Sequence, residues 1–202
     1  MTKIIPFPQA DNLEKVVRIA RADEAVLKNT QALSSLLDDV TQRQVNYYLS
    51  AAEYIGFVSN RSLTNEGREF RSLYGNDQKA YLAYTIFRNP VFYRAYAEDA
   101  DFTRFTEILQ EEYPEMKEPV VRRRSQTGIA WIKSFEFTTR PRVEDAPLLE
   151  SKVVALAYFS DLFYGFDSTR EEVVELKQKY KYPQDEISIW AEYQKLKENS
   201  ET

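Results

Sequence analysis

The 202-residue chain carries a formal net charge of −5, only five glycines, and neither cysteine nor histidine. Those absences exclude a disulfide framework, thiolate chemistry and an ordinary structural zinc site, and they remove the commonest general base. No run of 18 apolar residues occurs, and the opening MTKIIPFPQADN has no apolar signal region, so no membrane contact is expected and a bacterial-type cytoplasmic protein is. An acidic chain does not coat nucleic acid indiscriminately, so local charge matters more than the total. Residues 1–137 carry 18 basic and 19 acidic side chains, and residues 138–202 carry 9 and 13, which concentrates the acidity at the C-terminal end.

Residues 1–11, punctuated by Pro6 and Pro8, read as an arm. Leu13, Val16, Val17 and Ala20 recur at helical spacing, predicting a helix over 12–21. Asn29-Thr30 opens a short helix over 31–37, and Asp38-Asp39-Val40 is a turn. Thr41 is a good N-cap for a helix over 42–55, stopped by Gly56. A short strand over 57–59, a turn at Asn60-Arg61, a returning strand over 62–64 and a helix over 65–73 complete this part. Helices are then expected over 78–89, 102–113 and 120–131, with breaks at Pro90 and Pro114, and Ser134–Phe137 is a candidate strand. The polar, two-proline stretch 138–147 reads as a linker. Three more helices are expected over 148–164, 169–180 and 184–198.

The segment Thr41–Val58 (TQRQVNYYLSAAEYIGFV) followed by Ser62–Gly67 (SLTNEG) resembles winged helix-turn-helix families. In those families a recognition helix ends in a stop like this one and an LTxxG element closes the wing. The stretch Val121–Ile132 (VRRRSQTGIAWI) more loosely resembles the tandem winged-helix-like modules associated with restriction endonucleases. The resemblance implies a mainly α fold: a winged helix domain over 12–75 (three helices plus a small β-wing), a second winged-helix-like unit over 76–137, and a helical C-terminal module over 148–198. It also implies binding of double-stranded DNA, by a transcription regulator or by the recognition component of a restriction or defence system.

On the helix over 42–55, Val45, Tyr48, Leu49 and Ala52 take the inward positions. Thr41, Gln42, Arg43, Asn46, Tyr47 and Ser50 are left on or beside the outer face. Arginine pairs with guanine and Asn or Gln with adenine in the major groove, so this set is the candidate base-reading face; the alternative is a merely solvated face. Arg61 at the wing tip is a candidate for phosphate or the minor groove. Arg122, Arg123 and Arg124, with Gln126 and Thr127, are candidates for phosphate contacts, and the alternative is a patch neutralised by Glu111, Glu112, Glu115 and Glu118. Leu156, Phe159, Leu162, Phe163 and Phe166 form a broad apolar stripe, pointing to a homodimer or partner-protein contact through 148–166. The triplets Glu150-Ser-Lys152 and Glu175-Leu-Lys177 formally match a nuclease element but fall in helical patterns, so no catalysis, metal or cofactor is expected. A protein-interaction adaptor that uses the winged helix as a scaffold is the rival reading.

Overall fold

A computed structural model describes residues 7–137, 140–150 and 152–164. The described chain is mainly helical, with one two-stranded antiparallel sheet. It divides into two compact units. Among the described residues, 7–74 and 99–135 form the first, and 75–98 with those from 136 to 164 form the second.

The first unit opens with α1 (Leu13–Arg21), whose N-cap Asn12 accepts a hydrogen bond from the Lys15 amide. A single turn, α2 (Glu24–Lys28), leads into α3 (Thr30–Leu36), capped by Asn29 through bonds from the Gln31 and Ala32 amides. Asp38 and Asp39 both take left-handed backbone angles and turn the chain into α4 (Gln42–Tyr54). Short polar side chains tolerate that region better than others do. Thr41 and Gln44 close a reciprocal capping box at the start of α4, satisfying amides that the helix itself leaves unbonded. At its other end, Gly56 has φ 84°. The Gly56 amide donates to Glu53 and the Phe57 amide to Ala52, the paired bonds of a Schellman stop.

The hairpin follows at once. β1 (Val58–Ser59) pairs with β2 (Ser62–Leu63) in the register Val58 opposite Leu63, and the turn residues Asn60 and Arg61 both have positive φ. Helix α5 (Asn65–Ser72) starts directly after it, and Thr64 caps α5 by accepting from the Gly67 amide. Phe57 and Phe70 stack at 4.3 Å between ring centroids. Gly67 lies so close to Phe57 that a side-chain carbon would overlap the Phe57 carbonyl.

The same unit takes in α8 (Phe102–Glu112) and α9 (Glu118–Ile132) once α6 (Gly75–Phe87) and α7 (Pro90–Ala97) have been set aside to the second unit. α8 and α9 pack closely, with Gly128 giving room for the buried ring of Phe105. The arm is partly docked. Phe7 is buried among Tyr54, Phe105 and Tyr113, and the Ala10 carbonyl accepts a 2.7 Å bond from Trp131 Nε1.

In the second unit, α10 (Lys152–Tyr164) packs on α6, preceded by a 3-10 helix over Val143–Glu150. The Tyr158 hydroxyl donates to buried Asp145 at 3.0 Å. Lys152 Nζ lies over the Tyr81 ring, 4.9 Å from its centroid.

Several expectations change. Helices α8 and α9 belong with the N-terminal elements and α6 and α7 with α10, so the compact units do not follow chain order. Part of the expected linker is helical, and among the described residues Ser134–Phe137 forms no strand. Leu156, Phe159 and Leu162 are buried within the chain. They are covered without a second copy, and the apolar-area argument for self-association fails for them. Phe166 and the helices expected over 169–180 and 184–198 lie outside the described residues.

Candidate functional site

Successive helical residues turn by about 100°, so the positions of α4 sort into two arcs. Val45, Tyr48, Leu49, Ala51 and Ala52 are buried, with burial and then Asp11 raising the Tyr48 phenol above its ordinary value. On the opposite arc, Gln42, Arg43 and Asn46 are exposed, and Tyr47 and Ser50 are half-buried. Glu53 shares that arc one turn further on, confining any attraction for an anion to the first turns. Thr41 is committed to its cap.

Arg43 is held by its own helix. Its Nε donates to the Tyr47 hydroxyl at 2.8 Å and the guanidinium lies over the Tyr47 ring, 5.6 Å from the centroid. This i, i+4 contact engages one of the five N–H donors of the guanidinium. Nearby, Asp38 is neutralised. Its carboxylate pairs with Arg18 at 2.9 Å and Lys15 at 3.2 Å, and those bonds, Arg18 first, hold the carboxyl below its ordinary value.

Arg61 does not project from the hairpin as expected. It is half-buried and donates to the Leu27 carbonyl at the end of α2, 3.3 Å away. The left-handed turn directs the side chain back onto the helices, where it satisfies a helix-terminal carbonyl.

The three arginines of α9 have different fates. Arg122 and Arg123 are exposed, and Arg122 also lies 5.9 Å from the Phe102 ring centroid. Arg124 turns inward. Its Nε is buried without a hydrogen-bond partner, and burial, then the charge of Arg123, lowers the guanidinium from its ordinary value. Thr127 is 2 % exposed, on the packed face with Gly128, and is not available to a ligand, whereas Gln126 is exposed. Among the described residues, no ion pair joins Arg122, Arg123 or Arg124 to the upstream glutamates, and Glu111 is 3.6 Å from Arg104 instead. Lys133, at the C-cap of α9, shares the exposed arc. Its spacing of eleven from Arg122 and seven from Gln126 was readable in the sequence once the helix extends that far.

Two features therefore stand out in one mainly helical unit that carries a small antiparallel hairpin: the polar arc of α4 and the basic arc of α9. Residues 23–135 match a family described as a domain of unknown function (DUF7226). The match spans more than half of the chain, so the protein belongs to that family. The matched span contains the polar arc of α4, Arg61 and the basic arc of α9. No curated protein and no solved structure matches the chain. Among the described residues, no helix is long and apolar enough to cross a membrane.

Proposed function

We propose that the first unit is a winged helix domain that binds double-stranded DNA in a cytoplasmic setting, with α4 as its recognition helix. The element order supports this reading: α1, α3 and α4, then the β1–β2 hairpin and α5, in sequence and in one compact unit. The observation that carries it is the Arg43–Tyr47 contact. An exposed arginine on a helix ordinarily samples many rotamers, and ordering it on binding costs free energy. Here the helix holds the guanidinium in advance, beside Asn46 and Gln42, with a planar fork left for a base edge. The fork matches O6 and N7 of guanine, and an Asn or Gln amide matches N6 and N7 of adenine.

The test is binding of the full chain to a duplex selected from a random pool. Arg43→Ala with Asn46→Ala removes two base contacts, each worth about 1–3 kcal/mol of discrimination. The expected outcome is loss of preference for the selected site with an unchanged melting temperature, because exposed positions contribute little to stability. Retention of the preference would remove α4 as the reading element.

A further inference from the structure

We propose that the exposed arc of α9, formed by Arg122, Arg123, Gln126 and Lys133, is a second DNA contact that grips the phosphodiester backbone without reading bases. The choice of duplex DNA as occupant rests on the reading of α4 given above. The contact itself rests on independent observations.

The first is charge left uncompensated. Elsewhere in the same unit arginines are spent internally. Arg18 pairs with Glu14 and Asp38, Arg71 with Asp23 and Arg104 with Glu107, while Arg61 and Arg68 donate to backbone carbonyls. Among the described residues Arg122, Arg123 and Lys133 have no carboxylate partner, although Glu118 stands four residues before Arg122 on the same helix. Folding gains little from this arrangement. Arg122 and Arg123 sit toward the positive end of the helix dipole, and the charge of Arg123 weighs on Arg124. Lys133 at the C-terminal end is the one member whose placement the dipole favours.

The second observation is geometry. At about 100° per residue, Arg122, Lys133 and Gln126 fall within roughly 40° of one another and Arg123 completes a 100° arc. The arc runs about 16 Å along the axis, and a duplex strand passes a phosphate about every 3.4 Å of its axis, so several phosphates lie within reach. Opposite this arc, Val121, Ser125, Gly128, Trp131 and Ile132 are buried. The helix is therefore anchored along its length, and the cations project from a rigid element. Gln126 adds a neutral donor of the kind that binds phosphate and sugar.

The experiment uses the full chain and a fluorescent random-sequence duplex, with anisotropy measured across a salt series. Each phosphate contact contributes about 0.9 to the slope of log affinity against log salt, so Arg122→Gln, Arg123→Gln and Lys133→Gln together should flatten it by about 2 to 3. An unchanged slope overturns the proposal. Arg122→Lys with Arg123→Lys should keep the slope, because lysine serves a phosphate as a point charge, and equal loss in this variant overturns backbone gripping. The Arg43→Ala, Asn46→Ala variant separates the two readings. If it binds random and selected duplexes as the wild type does while the α9 variant loses the slope, α4 is refuted and α9 stands. Binding to phosphatidylserine vesicles but to no duplex overturns both.

Discussion

Replacing Gly67 by alanine places the added carbon against backbone, which cannot rotate away. It would overlap the Phe57 carbonyl oxygen and lie 2.9 Å from that carbonyl carbon and 3.2 Å from Phe57 Cα. Three effects compete. Inside a helix alanine is favoured over glycine by up to about 1 kcal/mol. Overpacking of a close contact costs about 1–3 kcal/mol. The Phe57 carbonyl also accepts the Thr64 amide at 3.1 Å, a bond worth about 1 kcal/mol that any shift of α5 from β1 weakens. The unfavourable effects win, and Gly67→Ala should lose about 1–3 kcal/mol. Urea unfolding followed by tryptophan fluorescence measures this as a lowered midpoint at unchanged slope, and Trp131 reports on the affected unit. Unchanged or increased stability would mean that helix propensity prevails and that the joint between hairpin and α5 is looser than described.

Trp131→Phe removes the donor to the Ala10 carbonyl inside a buried site, so a loss of about 1–3 kcal/mol is expected, together with faster proteolysis of the arm. An arm cut at the wild-type rate would refute its docking. For Asp38, the sign follows from a carboxyl held below its ordinary value. Its contribution is complete above the ordinary aspartate range and is lost as pH falls through the lowered value. Asp38→Asn should therefore flatten the acid limb of the melting temperature against pH, by a small amount because the group is exposed. An identical acid limb in variant and wild type would show that the Lys15–Asp38–Arg18 cluster adds nothing.

What was legible in the sequence was what neighbouring residues decide. The Thr41 cap, the Gly56 stop, the inward stripe of α4 and the turn at Asn60-Arg61 each depend on a few consecutive side chains, and each is found where expected. Helix α2 was not legible, because five residues are too few to display a period. Nor was the assembly of units, because an amphipathic pattern says that a face is buried and not against what. The apolar stripe of 148–166 shows the consequence. Leu156, Phe159 and Leu162 are buried as the pattern implied, on a helix that packs against α6 of the same chain. The placements of Arg61 and Thr127 were not legible for the same reason. A carbonyl 34 residues earlier claims the first, and the packed side of α9 encloses the second. The Arg43–Tyr47 contact needed only i, i+4 spacing and was within reach.

An acidic protein that is to hold a polyanion faces two opposed fields. The net charge of −5 acts at long range and repels DNA, while individual exposed cations act at contact. Salt separates them. At about 0.15 M the screening length is about 8 Å, so the acidic residues concentrated in 138–202 are hidden from any phosphate farther off than that. A cation touching a phosphate is screened far less. Such a chain gains more from leaving a few cations unpaired at fixed positions than from a higher total charge. Pairing Arg18, Arg71 and Arg104 internally while leaving Arg43, Arg122 and Arg123 without carboxylates has that effect, since the first group stabilises the fold and the second stays available. Affinity would then depend on where those few side chains are held. If α4 and α9 hold DNA as proposed, the anchoring of α4 by its caps and of α9 by Gly128 and Trp131 bears on binding as directly as the charges do.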